Sequence, residues 1–204
     1  MKTRLAAALG PVRAAELYGG FLADTLGLVT RLRLPASVFT TGGRLAGFRE
    51  LAPAGTSWVP QGSGDLGARM RRAFAACFRA GARRVVMLGT DSPGLPARHV
   101  RAAFRALDRC DVVLGPALDG GYYLVGLDRP RPELLRGMPW GEPSLLEATA
   151  RRARETGAGL ALTDPWFDVD NARDLALLRD LAARGEFRPR PRHTLRILEK
   201  FARS

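Results

Sequence analysis

Residues 85–93 of the chain read VVMLGTDSP, an apolar run that ends on a carboxylate. Five apolar or small residues in succession predict a parallel strand that is buried on both faces, with Asp91 emerging where the strand ends. In open α/β sheets, ligands bind outside the carboxyl ends of the strands, so an acid at this point can hold a metal or a substrate. A turn or a helix cap before Ser92-Pro93 explains the same residues. Both interpretations stay open on this stretch alone.

Strand-like and helix-like segments alternate along the rest of the chain. Helices are predicted at 12–33, 66–79, 97–108, 144–156 and 172–184, and strands at 36–40, 56–59, 84–89, 112–115, 122–126 and 160–163. Strands that alternate with helices of this length form βαβ units. The pattern therefore predicts one α/β domain over residues 1–187, with a mainly parallel sheet. A basic C-terminal tail follows over 188–204, and its last part forms a helix that docks onto the domain.

The composition is that of a globular protein with a basic surface. Hydrophobic residues make up 46% and charged residues 25% of the chain, which is ordinary for such a protein. We expect a cytoplasmic protein, because the start of the chain lacks a signal-peptide core, no apolar run could cross a membrane, and the two cysteines are predicted to be reduced core thiols rather than a disulfide or a metal site. The formal net charge of +12 favours anionic ligands. Because no aromatic stacking platform accompanies the basic residues, we expect nucleotides rather than nucleic acid.

Two basic or glycine-rich segments in the first half of the chain could bind phosphate. Lys2, Thr3 and Arg4 place two cations around a hydroxyl, although a basic N-terminus is often only solvated. Residues 61–70 read QGSGDLGARM, where glycines allow the backbone to approach a ligand and the next helix presents its first amides. Asp65 is also a natural N-cap for that helix.

Two acidic segments in the second half could bind a sugar or a metal. Residues 119–123 read DGGYY, which is either the turn of a hairpin or a place where a polar ligand lies against bare backbone, with Asp119 accepting from its hydroxyls. Asp168 and Asp170 share one face of an extended segment. Two carboxylates so placed repel each other unless a cation such as Mg²⁺ or Mn²⁺ lies near them. Alternatively, Asp170 or Asn171 caps the following helix, and we expect one acid of this segment to cap and another to bind metal.

Taken in order, these segments resemble a bacterial family of GT-A-type, glycosyltransferase-like proteins that includes members named as arsenosugar-biosynthesis glycosyltransferases. The matching elements are KTRL at 2–5, GDLG at 64–67 with Arg69 and Met70, GTDSP at 89–93, GP at 115–116, DGGYY at 119–123, Trp140 and DVD at 168–170. They span nearly the whole chain. More distantly, the pattern is similar to the guanylyltransferases that make the molybdenum cofactor and the phospholactate-derived deazaflavin cofactor.

The resemblance implies a nucleotide-diphosphosugar transferase (GT-A, Rossmann-like) fold, with helices on both faces of the sheet, and a divalent cation, Mg²⁺ or Mn²⁺. It implies that Asp91 is the leading metal ligand and that Asp168 or Asp170 is the second. Asp119 and Asp91 are the implied catalytic residues. The residues implied to bind the nucleotide or substrate are Lys2, Thr3, Arg4, Gly62, Gly64, Asp65, Arg69, Gly120, Gly121, Tyr122 and Trp140.

The function that the resemblance implies is transfer of a sugar from an NDP-sugar donor to a small acceptor. A nucleotidyltransferase that acts with GTP or CTP on a phosphorylated small molecule is the first alternative. A truncated, non-catalytic nucleotide-binding module is the second. Relatives begin with a hydrophobic strand and a short loop before the KTRL element, whereas here that element starts at residue 2, so we expect the first strand to be absent. Our hypothesis is that Met1 is an internal codon read as the start, or that the chain has been truncated. His99 and His193 are predicted to lie on the surface.

Overall fold

The structure, a computed structural model, describes residues 3–42 and 46–203. In chain order the elements are α1 (Thr3–Leu9), α2 (Pro11–Leu32), β1 (Ser37–Thr40), α3 (Ala46–Arg49), β2 (Ser57–Pro60), α4 (Leu66–Arg79), β3 (Val85–Leu88), α5 (Ala97–Ala106), β4 (Val112–Pro116), β5 (Tyr122–Leu127), a 3₁₀ turn (Pro132–Leu135), α6 (Leu145–Glu155), β6 (Leu160–Leu162), α7 (Ala172–Ala183) and α8 (Arg192–Ala202). None of the described helices is both long and apolar enough to cross a lipid bilayer.

The strands of the described ranges form two sheets. The strands β1 and β2 pair in parallel, and a four-stranded sheet has the order β3-β5-β4-β6. Since β5 runs antiparallel to both β3 and β4, and β6 runs parallel to β4, three of these four strands share one direction. Their carboxyl ends therefore meet at the same edge of the sheet. The predicted α/β alternation is confirmed, with β5 as the one reversed strand of this sheet.

The strand β3 differs from the prediction of a fully buried parallel strand. It pairs with β5 alone, in antiparallel orientation, and is the edge of its sheet within the described ranges. All four of its side chains are only half-buried. The buried strands are the two central ones, β5 and β4, and in β4 residues 112–114 have no exposed surface. An apolar run shows that a segment packs against others, but it does not show which neighbours the strand has, and this is why the prediction was wrong.

Helix α2 lies at the centre of one part of the core and carries α8 on its surface. Leu17 and Phe21 of α2 are fully buried against Val169 and against side chains of α7 and α8. At Gly20 an added Cβ would lie 2.8 Å from Ile197 Cδ1 and 3.1 Å from the Thr194 Cα. The two helices thus approach closely because α2 has no side chain at this position. The C-terminal helix packs on the domain as expected.

The first turn of α8 is held by a carboxylate of α2. Asp24 accepts hydrogen bonds from the backbone N–H of His193 (3.1 Å), the backbone N–H of Thr194 (2.9 Å) and the Thr194 hydroxyl (2.7 Å). Helix-start N–H groups have no partner within their own helix, so another group must satisfy them. Asp24 serves as a cap supplied by a residue distant in sequence.

We predict that Asp24→Ala lowers the free energy of unfolding by about 1–2 kcal/mol, because it removes an N-terminal cap of α8. The measurement is urea denaturation followed by circular dichroism. Asp180→Ala is the matched control, since Asp180 forms an exposed ion pair with Arg184 on α7, which is worth about 0.5 kcal/mol or less. Equal losses in the two variants would contradict the capping role.

Candidate active site

Three segments that follow β3, β4 and β6 are joined by backbone hydrogen bonds at one edge of the sheet. The Trp166 N–H donates to the Pro116 carbonyl (3.0 Å), and the Leu118 N–H donates to the Trp166 carbonyl (3.1 Å). Further on, the Val169 N–H donates to the Asp91 carbonyl (2.8 Å). The acids that the sequence singles out, on three separate segments, are thereby brought to the carboxyl ends of the strands, where α/β proteins bind ligands.

The pKa of the Asp168 carboxyl group shows that negative charges crowd this edge of the sheet. Its pKa is raised to about 6, mainly by burial and additionally by the negative charges of Asp91, Asp170 and Asp119, whereas a hydrogen bond from the Ser92 hydroxyl to Asp168 Oδ1 acts in the opposite direction. Like charges that crowd one site disfavour ionisation of each member. We call Asp91, Asp119, Asp168 and Asp170 the acidic cluster.

The chemistry of the acidic cluster fits a hard divalent cation. Carboxylate oxygens are the ligands that Mg²⁺ and Mn²⁺ prefer. Within the described ranges, no group of three or more His, Cys, Asp or Glu side chains is arranged to hold a metal ion. Mg²⁺ is commonly bound by one or two carboxylates, with substrate phosphates and water supplying the other ligands. Two carboxylates of the cluster are therefore enough for an ion that arrives with a nucleotide.

Helix capping does not account for the two acids before α7. Asn171 is the N-cap of that helix and accepts from the N–H groups of Arg173 (2.8 Å) and Asp174 (3.1 Å). Asp174 completes a capping box by accepting from the N–H of Asn171 (3.2 Å) and from that of Asp170 (3.0 Å). Of the two caps that the sequence offered, Asn171 is confirmed, and the expectation that Asp168 or Asp170 caps the helix is wrong, because the Asn171 side chain accepts from the first N–H groups of the helix. Nor does Asp91 cap α5, whose N-cap is Pro96.

The turn that carries Asp119 is a hairpin turn, and it contributes this residue to the acidic cluster. Asp119 is exposed, and its Oδ1 accepts from the Gly121 N–H (3.0 Å). Gly120 has φ of +89°, and an added Cβ would lie 2.1 Å from the Pro143 carbonyl oxygen. No other residue fits there without a shift of the backbone. The turn therefore holds the Asp119 carboxylate in a defined place.

Tyr122 and Trp140 lie in a packed region rather than on an open face. Their rings meet edge to face with centroids 6.2 Å apart, and a Cβ on Gly67 would lie 2.8 Å from the Trp140 indole nitrogen. Burial raises the pKa of Tyr122 far above its usual value. These contacts stabilise the junction of α4 with the sheet. Sugar binding by the two residues stays a prediction.

Two arginines of α4 form hydrogen bonds with the backbone of the segment that precedes this helix. Asp65 is the N-cap of α4 and accepts from the Ala68 N–H (2.6 Å), as predicted. Arg69 Nε donates to the Gly64 carbonyl (2.9 Å). Arg72, which sequence reasoning missed, donates from Nε to the Gln61 carbonyl (3.0 Å) and from Nη2 to the Ser63 carbonyl. No pattern in the sequence indicates that a helix arginine turns back onto the preceding loop.

The chain is helical from Thr3 onward. Lys2 lies outside the described residues. Thr3 begins α1, and Arg4 is exposed on it. Leu5 is fully buried against α2, and the following alanines favour a helix. Among the contacts of the described ranges, none joins Arg4 to the acidic cluster, and phosphate binding by Lys2, Thr3 and Arg4 stays a prediction.

His99 is buried, which contradicts the prediction of a surface histidine, whereas His193 is exposed on α8 as predicted. His99 lies on the apolar face of α5, and its Nδ1 is 2.8 Å from the Tyr123 hydroxyl. Burial lowers the pKa of His99. The Tyr123 hydroxyl also donates to the Asp164 carbonyl (2.9 Å), and burial raises its pKa to about 12. This network fixes the segment that leads to Asp168. The helical period of α5 carried the signal, since His99 lies four residues before the buried Ala103 and so shares its face of the helix.

Comparison with known proteins supports this architecture. The model of the bacterial family described as "Uncharacterized protein conserved in bacteria (DUF2064)" matches residues 25–142. A crystal structure of a candidate nucleotide-diphospho-sugar transferase from Desulfovibrio desulfuricans G20 has a TM-score of 0.80 and 33% identity, over 89% of this chain and 81% of that one. The chain belongs to this bacterial family, and its fold is that of a nucleotide-diphospho-sugar transferase.

A second solved structure shows a more distant likeness. The crystal structure of a 4-diphosphocytidyl-2C-methyl-D-erythritol synthase has a TM-score of 0.53 and 13% identity, over 79% of this chain and 90% of that one. This likeness is one of fold. No curated protein sequence matches the chain.

We predict that the stability of the metal-free protein depends on pH through Asp168. Its carboxyl has a pKa of about 6 in the folded chain against an ordinary value of 3.8, so the folded state binds the proton more tightly than the unfolded state. This carboxyl therefore stabilises the fold increasingly as the pH falls through 6 towards 4, and the gain is absent well above pH 6. In EDTA, the melting temperature of the wild type minus that of Asp168→Asn should rise as the pH falls from 7.5 to 5. A difference in melting temperature that does not change with pH would contradict the raised pKa of Asp168.

Proposed function

We propose that this protein is a metal-dependent glycosyltransferase that moves a sugar from an NDP-sugar donor to a small acceptor. The observation that carries the proposal is the meeting of Asp91, Asp119, Asp168 and Asp170 at the carboxyl ends of the strands. The similarity of the chain to the Desulfovibrio protein supports the choice of an NDP-sugar as donor.

In this proposal three acids of the cluster, Asp91, Asp168 and Asp170, provide the ligands for a cation. Asp91, with Asp168 or Asp170, would hold a divalent cation, which would supply positive charge beside the departing nucleotide diphosphate. The Ser92 hydroxyl, through its hydrogen bond, keeps the Asp168 carboxylate in one orientation. Asp170 and Asp168 lie on the segment that the Asp91 carbonyl anchors through Val169. The ligands thus belong to one hydrogen-bonded unit and need little reorganisation on binding.

Asp119 is the proposed base. Its carboxylate is exposed and is oriented by the Gly121 N–H, so an acceptor hydroxyl can reach it. The acceptor oxygen forms a bond to the anomeric carbon of the sugar while its proton passes to Asp119. The bond from that carbon to the phosphate oxygen breaks, and the nucleoside diphosphate leaves with the electron pair.

The second candidate function is nucleotidyl transfer from a nucleoside triphosphate to a phosphorylated small molecule. It is favoured by the fold that the chain shares with the synthase. The acidic cluster would meet the same demand, because charge also develops on departing pyrophosphate. The two reactions differ in their products, a nucleoside diphosphate in one and pyrophosphate in the other.

The proposal predicts nucleotide binding that depends on the acidic cluster. In thermal-shift measurements with Mn²⁺, at least one of the UDP-, GDP-, CDP- and ADP-sugars should raise the melting temperature. Ligand at a hundredfold excess over Kd stabilises the folded state by about 2.7 kcal/mol. Asp91→Asn should abolish the Mn²⁺-dependent part of the shift, whereas Asp180→Asn, on the exposed surface of α7, should keep it.

The products then separate the candidate functions. Phosphorus NMR of reactions with active donors should show a nucleoside diphosphate in the first case, and pyrophosphate from GTP or CTP in the second. Binding that is the same in Asp91→Asn and in Asp180→Asn, with no turnover of any donor by the wild type, would contradict both functions and favour a non-catalytic module.

A further inference from the structure

The loop between β2 and α4, residues 61–65, leaves the carboxyl end of a parallel strand pair. Its first residue is tied to the neighbouring strand: the Gln61 N–H donates to the Thr40 carbonyl (2.8 Å) and Gln61 Nε2 donates to the Phe39 carbonyl (3.1 Å). Its last residue, Asp65, caps α4. Both ends of the loop are therefore fixed, and what remains to be explained is the direction of the backbone groups between them.

Two arginines of α4 take up the carbonyl groups of this loop. Arg72 donates to the carbonyls of Gln61 and Ser63, and Arg69 donates to that of Gly64. Three of the loop carbonyls are thus turned towards the helix. Guanidinium groups can do this because each offers several donors in a planar fork.

The N–H groups of the same peptide bonds must then point to the other side. In a trans peptide the C=O and the N–H lie in one plane and point in opposite directions, and in the described ranges the one cis bond is that of Arg188-Pro189. The N–H groups in question belong to Gly62, Gly64 and Asp65. Across the described part of the chain none of the three donates to a protein acceptor, and all three residues are exposed.

The glycines and Arg72 fit one another. Gly62 has φ of +74° and Gly64 has φ of +98°, and this backbone reverses the peptide planes towards the arginines. A Cβ at Gly62 would lie 3.1 Å from Arg72 Nε, so a side chain there would displace the guanidinium. The loop and the arginine therefore form one arrangement, in which neither can change alone.

We propose that Arg72 is a positioning residue for nucleotide binding. By holding the Gln61 and Ser63 carbonyls it presents the N–H groups of Gly62 and Gly64, together with that of Asp65, to oxygen acceptors of the nucleotide. Because the acceptors belong to a nucleotide, the inference rests on the proposed function. Arg72 acts through the loop and does not itself contact the ligand.

The test compares Arg72→Ala and Arg72→Lys with the matched control Arg79→Ala. Arg79 is an exposed arginine of the same helix that donates to the Ala75 carbonyl. The probes are UDP, GDP, CDP and ADP with Mn²⁺, and the four corresponding nucleosides, measured by isothermal titration calorimetry. Arg72→Ala should raise Kd about tenfold or more, as expected for lost hydrogen bonds. Arg79→Ala should leave Kd unchanged, and all variants should melt at similar temperatures without ligand.

Arg72→Lys separates positioning from direct charge contact. Lysine keeps the charge, but it lacks the fork that reaches two carbonyls, so Kd should rise as in Arg72→Ala. Wild-type affinity in Arg72→Lys, or equal effects of Arg72→Ala and Arg79→Ala, would overturn the role of Arg72 and leave the proposed function standing. If the wild type binds none of the four diphosphates, the proposed function and this inference both fail.

The nucleosides show which oxygens the loop meets. If the acceptors are phosphate oxygens, the loss in Arg72→Ala appears for the diphosphates and is absent for the nucleosides. If the acceptors are ribose or base oxygens, diphosphate and nucleoside affinities fall by the same factor. Either pattern supports positioning by Arg72, and a similar melting temperature shows that the loss is not one of folding.

Discussion

The hydrogen bond from the Val169 N–H to the Asp91 carbonyl joins the two parts of the chain on which the candidate site depends. Asp91 follows β3, whereas Val169 lies between Asp168 and Asp170, almost eighty residues later. Together with the hydrogen bond from the Ser92 hydroxyl to Asp168, this contact brings the acids that follow β3 and β6 close to one another. Because Val169 is also fully buried against α2, the hydrophobic core holds the acidic cluster together against its own repulsion.

The carboxylates of the acidic cluster repel one another, and the packing of the fold keeps them together. Burial and the charges of the three neighbouring carboxylates raise the pKa of Asp168, and such crowding is typical of sites that receive a cation or a proton. The surface around this edge belongs to a chain with a formal charge of +12, which attracts anions over a longer range. A nucleotide that carries its own divalent cation complements both the basic surface and the acidic cluster, since its phosphates are attracted to the positive charge and its metal to the carboxylates.

Local patterns predicted most of the elements. The helix predicted at 66–79 is α4 without a shift of either end, because Asp65 caps it and its apolar positions follow the helical period. The acids of the cluster were found because each follows a strand-like run in its own segment. What connects them could not be predicted, because backbone hydrogen bonds between distant loops leave no pattern in one sequence. Residues distant in sequence also determine three other features, namely the half-exposure of β3, the burial of His99 and the hydrogen bonds of Arg72 to the loop.

The most direct test of the account is a crystal structure with Mn²⁺ and a nucleoside diphosphate, with the metal located by its anomalous scattering. The account predicts one strong peak within direct ligating distance, about 2.0–2.6 Å, of a carboxylate oxygen of Asp91. A second carboxylate, from Asp168 or Asp170, should share the ion, and the nucleotide phosphates should complete its ligands. A bound nucleotide whose metal lies away from Asp91, or whose phosphates lie away from the carboxyl ends of β3, β4 and β6, would contradict the central claim.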